Sequence, residues 1–348
     1  MIYILPFLIS VITTKILIFV LLKFGFYKKP GERGNERDIH FYRAKKIITR
    51  GGGFAIFLGF LPVLFFLENI NKGVIFFFLG LVFLMVVGLI DDKFELSGKL
   101  QFLAFFISSL FLVVGGFGMD FIRNPFGDLI NLKIWEFKIL EIGGTSYFAT
   151  FPADLLTIFW VFVLINAINF ADGIDSLISF VGIVASVILL VVAERFGQTD
   201  NVEMIKFFIF ANLGFLVFHF PPAKIMHGSA GSYFLGFFLA GISLFSGGKV
   251  ATAMIVLGIP IVDAFYVSIS RIFRGKFPWT AGHDHMHHKF LDLGFSHLQI
   301  SLIYSVITLL FGLITLFGET KQKFFGVLVM IIFCVGLNLF LDFRLQKK

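Results

Sequence analysis

Eleven stretches of about 20 mostly apolar residues follow one another along this chain, each long enough to cross a bilayer as a helix. They lie near 2–23, 48–67, 73–90, 98–118, 154–171, 176–194, 203–220, 230–247, 250–270, 297–317 and 323–343. Hydrocarbon offers no water to a backbone N–H or C=O, so such a segment satisfies those groups internally, as a helix. The expected fold is an all-α polytopic membrane protein, a single domain over 1–348 built as a bundle of about eleven transmembrane helices. Composition agrees: only 15% of residues are charged, where soluble domains carry about a quarter. Spans two and five are the least regular, because Gly51 to Gly53 and Asn166 with Asn169 interrupt them. Ile2 to Leu22 lacks a basic leader and a small-residue cleavage site, and reads as a retained helix. Cys334 is the single cysteine and lies in an apolar run, which excludes a disulfide framework and a Cys-based zinc site.

The net charge of +7 follows membrane topology. With loop 24–47 inside, 19 Lys and Arg fall on the inner side and 9 on the outer. Positive loops stay cytoplasmic, so the N-terminus is expected outside and the C-terminus inside. The basic residues form no reader element, which argues against nucleic acid as a partner. This topology places five polar segments on the cytoplasmic face: 24–50, 91–99, 172–175, 221–232 and 271–297. The outer loops are short except 119–153, whose alternation from Asn131 to Ile139 suits a small periplasmic β-hairpin.

The chemistry sits in those five segments. In GLIDDKFELSGKL (88–100), Asp91 and Asp92 end one helix and Lys99 begins the next. Adjacent carboxylates at a membrane boundary are costly unless solvated, paired or metal-bound, and Mg²⁺ favours one or two carboxylates with phosphate oxygens. A solvated acidic loop is the plainer alternative. In NAINFADGIDSL (166–177), Asn166, Asn169 and Asp172 recur every three residues on one helix face, with Asp175 beyond Gly173. Helix-packing amides would give the same pattern. His285, His287 and His288 crowd four positions, where charged rings contact phosphate and neutral rings bind metal. Zinc is disfavoured by the spacing and the lack of a nearby Cys. The turn PPAKIMHGSAGSYFLG (221–236) offers Gly228, Ser229 and Gly231 at a helix entrance, a backbone N–H cradle for phosphate. The first loop supplies Arg37, His40 and Arg43, then TRGGG at 49–53, and attraction to anionic lipid explains such charge equally well.

Together these segments, in order from about residue 28 to 297, resemble the polyprenyl-phosphate N-acetylhexosamine-1-phosphate transferases. Asp91-Asp92 matches that family's Asp-Asp motif, 166–175 its Asn-x-x-Asn-x-x-Asp-Gly-x-Asp motif, and 285–288 its His-x-His-His motif. The resemblance implies a helical bundle with a cytoplasmic active-site cleft in the bacterial inner membrane. It implies a UDP-N-acetylhexosamine donor, a polyprenyl phosphate acceptor such as undecaprenyl phosphate, and Mg²⁺, with Mn²⁺ as an alternative. The lipid phosphate attacks the sugar-side phosphorus and UMP leaves. On that reading Asp91, Asp92, Asp172, Asp175 and His285 are catalytic, with Asp91 a candidate base and Asp91, Asp92 and Asp175 the metal ligands. Lys99, Asn166, Asn169, His287, His288, Arg37, His40, Gly228, Ser229 and Gly231 contact substrate. The ERDIH and TRGGG stretches resemble the O-antigen and common-antigen branch more than the phospho-MurNAc-pentapeptide enzyme.

One departure matters. Ser229 stands where the family has a magnesium-ligating Asp, and His227 beside it is unusual. Ser brings no negative charge, so a binding-only pseudoenzyme is the alternative function. A transporter is disfavoured, because the charges lie at one face and no inverted repeat is visible. The sequence leaves the oligomeric state open, a homodimer among the options.

Overall fold

The computed structural model describes residues 2–24, 27–28, 48–142, 145–245, 250–277 and 282–347. The helices are α1 (Ile4–Lys23), α2 (Gly53–Phe60), α3 (Lys72–Phe94), α4 (Gly98–Gly115), α5 (Ala153–Ala171), α6 (Leu177–Arg195) and α7 (Thr199–His219). They continue with α8 (Gly228–Phe245), α9 (Val250–Val256), α10 (Gly258–Phe273), α11 (Met286–Asp292), α12 (His297–Phe317) and α13 (Thr320–Gln346). Among the described residues, nine helices are long and apolar enough to cross a membrane, and ten if α9 and α10 count as one broken span. Span two is shorter than its apolar run suggests: α2 and a 3₁₀ turn over Leu61–Phe65 make 13 residues. Span nine is bent by 77° between α9 and α10. Bulky residues such as Phe19, Phe65, Phe273 and Ile332 are exposed on the outer surface, an apolar area that suits lipid. The chain is a multi-pass membrane protein.

Local signals set several boundaries. Asn71 caps α3 by accepting from the Val74 N–H at 3.0 Å, and Glu95 ends it in the left-handed region at φ 51°. Ser296 and Gln299 form a reciprocal capping box on α12. The central pillar is α8, with 16 of its 18 residues buried. It packs on α2, α3 and α5 through rings such as Phe60, Phe77, Phe234 and Phe238. The hairpin expected in 119–153 is present as antiparallel β-strands at Lys133–Ile142 and Thr145–Pro152. It leads into the N-terminus of α5, whose 19 residues at about 1.5 Å rise each carry Asn166 and Asn169 to the opposite end.

Candidate active site

At that end the polar segments meet around the entrance of α8. Asp92, in the last turn of α3, accepts the Ser229 N–H at 2.8 Å and the Ala230 N–H at 3.2 Å. The helix N-terminus therefore holds the protein's own carboxylate, where the sequence suggested an open phosphate cradle. Gly228 makes this approach practicable. Its φ is +69°, and a Cβ there would stand 2.4 Å from an Asp92 oxygen.

Asp91 faces a different set of donors. The Tyr233 hydroxyl donates to it at 2.7 Å, the Leu96 N–H at 2.7 Å and the Gln101 amide at 3.1 and 3.2 Å. Asp91 and Tyr233 are buried, so the carboxylate pins the α3–α4 turn to α8. Lys99 is exposed in the first turn of α4.

The Asn/Asp segment closes on α8 from the other side. Asn169 accepts from Ser232 at 2.9 Å, whereas Asn166 donates back to its own helix at the Phe162 carbonyl. Asp172 caps α5, and its Oδ1 lies 3.7 Å from His227 Nδ1. Burial pushes the Asp172 carboxyl well above the ordinary carboxylate range, with Arg50 opposing the rise and Asp92 adding to it. Burial and the neighbouring His219 hold His227 well below the usual histidine range. The 3.7 Å approach is thus a neutral ring facing a carboxyl, not a strong ion pair. Asp175 is held apart from this pair: it accepts the Ala223 N–H at 3.1 Å and lies 3.2 Å from His297 Nδ1.

The histidine segment packs over the same turn. A Cβ on Gly173 would fall 2.1 Å from His287 Nε2, and the Phe170 and His285 ring centroids are 5.3 Å apart. His287 and His288 are neighbours at 4.1 Å between centroids. His285 is oriented by Asp263 of α10, which meets His285 Nδ1 at 2.9 Å and accepts the Met286 N–H at 2.9 Å. The TRGGG segment joins through backbone pairing: the Gly52 and Gly53 N–H groups donate to the Met226 and His227 carbonyls at 3.0 Å. Arg37 and His40 lie outside the described residues.

Sequence reading missed Asp263, His219 and Tyr233. Asp263 carried a usable signal, a lone carboxylate inside an apolar run. It also missed a groove of about 600 Å³ between α10 and α13, apolar along Val262, Ile269 and Val335, with Arg274 among its lining residues.

The described carboxylates allow a test of the metal expectation. Asp91, Asp92 and Asp175 all accept hydrogen bonds from the protein, but Asp91 and Asp175 are buried whereas Asp92 stays partly exposed. Asp172 lies near enough to Asp92 for the two charges to interact. A partly exposed carboxylate such as Asp92, with phosphate oxygens, fits a divalent cation.

Comparison with known proteins supports the motif resemblance. The family model described as "Glycosyl transferase family 4" matches residues 74–247. A Bacillus subtilis (strain 168) protein, named a probable undecaprenyl-phosphate N-acetylglucosaminyl 1-phosphate transferase, is 28% identical over 95% of this chain and 88% of its own. Proteins named undecaprenyl-phosphate alpha-N-acetylglucosaminyl 1-phosphate transferase are similar too. The one from Thermotoga maritima is 25% identical over 94% of this chain and 92% of its own. The one from Yersinia pestis is 27% identical over 86% and 79%. The chain belongs to glycosyl transferase family 4, among the polyprenyl-phosphate N-acetylhexosamine-1-phosphate transferases.

Proposed function

We propose that this protein transfers an N-acetylhexosamine-1-phosphate from a UDP-sugar to a membrane polyprenyl phosphate, releasing UMP. This is the first step of lipid-linked envelope polysaccharide synthesis, and the relatives' names favour N-acetylglucosamine and undecaprenyl phosphate. The observation that carries the reading is the convergence of the Asp-Asp, Asn/Asp, Gly-rich and histidine segments at one end of the bundle, beside an apolar groove. The site faces the cytoplasm of the bacterial inner membrane, with the N-terminus outside.

Phosphoryl transfer calls mainly for positioning and charge neutralisation. The apolar groove suits part of an isoprenoid chain, and Arg274 suits an anionic headgroup. Asp263 fixes the His285 ring so that its far nitrogen keeps one direction toward an incoming phosphate. His287, against Gly173, and Arg50, whose charge reaches Asp172, add donors around the pyrophosphate. Asp91 serves here as an anchor for α8, while Asp92, together with phosphate oxygens, would hold Mg²⁺, or Mn²⁺ in its place. When bound, such an ion supplies neutralisation of the charge that develops on departing UMP. The lipid phosphate is already an anion, so the transfer needs no dedicated base.

UMP release in detergent tests this, with undecaprenyl phosphate, Mg²⁺ and a panel of UDP-N-acetylhexosamines, run beside Ser229→Asp. Release by the chain as it stands makes it a working transferase. Release by Ser229→Asp alone marks a binding-only form of the same fold. Silence from both refutes the assignment.

A further inference from the structure

His219 and His227 have no part in that reading, yet both are fully buried beside Asp172. One ligating atom from each of Asp172, His219 and His227 lies within 4.8 Å of the others. They come from three elements: the C-cap of α5, the last residue of α7 and the residue before α8. Asp172 Oδ1 and His227 Nδ1 are buried, face each other at 3.7 Å, and have no hydrogen-bond partner among the described residues. A folded interior rarely leaves two such atoms unsatisfied without a reason.

The hydrogen bonds on the two rings suit metal ligands. His219 Nδ1 meets the Ile225 carbonyl at 2.9 Å. A carbonyl only accepts, so Nδ1 carries the proton and Nε2 the lone pair. His227 Nε2 meets the Ser179 hydroxyl at 3.0 Å, which directs Nδ1 toward Asp172. Metal-bound histidines are ordinarily oriented in this way by a partner on the other nitrogen. Ligand atoms on a tetrahedral ion with bonds of about 2.1 Å are roughly 3.4 Å apart. The Asp172–His227 pair already approaches that, and small side-chain shifts bring in His219. Two imidazoles and one carboxylate favour zinc, cobalt or manganese over magnesium, which takes oxygen ligands.

We propose that Asp172, His219 and His227 form a binding site for a divalent transition-metal ion, held by the protein before any substrate arrives. The inference does not depend on the transferase reading, because its test requires no turnover. Tag-free full-length protein in detergent is stripped with a chelator and reloaded with Co²⁺, Zn²⁺ or Mg²⁺. About one Co²⁺ per chain is expected, with visible absorption bands of nitrogen-ligated cobalt. Zn²⁺ should displace it and raise the thermal midpoint, whereas Mg²⁺ at the same concentration does neither. His219→Gln and His227→Gln should each weaken Co²⁺ binding at least ~10-fold, and Ser179→Ala by ~10–100-fold. His287→Gln should leave the spectrum unchanged. Wild-type protein that binds no cobalt overturns the proposal even if no variant folds. Undiminished binding in both His219→Gln and His227→Gln overturns it as well.

Discussion

Replacing Asp91 by Asn separates an anchoring carboxylate from a reacting one. Donors from Tyr233, Leu96 and Gln101 converge on the two oxygens of Asp91. An amide offers one oxygen, and its NH₂ then faces either the Leu96 N–H or the Tyr233 hydroxyl. Bonds to a charged group contribute about 1.5–3 kcal/mol and neutral ones about 0.5–1.5, while an unsatisfied buried donor costs about 1–3. The substitution should therefore destabilise the protein by roughly 3–5 kcal/mol. At about 1.4 °C per kcal/mol for a chain of this size, the thermal midpoint falls by about 4–7 °C. Size-exclusion profiles of heated detergent samples, compared at one heating rate, measure this. Adding Tyr233→Phe removes the hydroxyl facing the amide, so the double variant should recover about 1–2 kcal/mol against additivity. An unchanged midpoint in Asp91→Asn, with no coupling to Tyr233, would refute the anchoring role and return Asp91 to the chemistry.

Gly228→Ala should cost more than about 2 kcal/mol, because an L-residue in the left-handed region costs roughly 1–2 and the new Cβ displaces Asp92; a normal melting profile would show that Asp92 does not depend on that turn. Asp263→Asn should lower kcat about 10–100-fold with little change in donor KM, since it frees the His285 ring without removing it; equal losses in kcat and donor affinity would point to general disruption. A reporter fused after Lys348 should be active only in the cytoplasm, and a periplasmic signal would invert the topology.

The apolar spans, the hairpin and the main motifs were readable because polar residues stand out against a hydrocarbon background and occur in short runs. Their partnerships were not. Asp92 meets Ser229 across 137 positions and Asp175 meets Ala223 across 48, and no local period marks either pairing. The Gly-rich turn looked like an open anion cradle because sequence shows donors without their occupant. His219 and Asp263 were hidden inside segments read only for hydropathy. The break between α9 and α10 was also hidden, because both halves are apolar and their run is long enough for one straight helix.

The most direct test of the proposed reaction uses UDP-N-acetylglucosamine labelled with ³²P at the β-phosphate, incubated with the purified protein and undecaprenyl phosphate, then extracted into organic solvent. Sugar-1-phosphate transfer carries the label into the lipid phase and leaves unlabelled UMP in water. If sugar enters the lipid while the label stays behind as UDP, the reaction is glycosyl transfer, and the central claim is wrong.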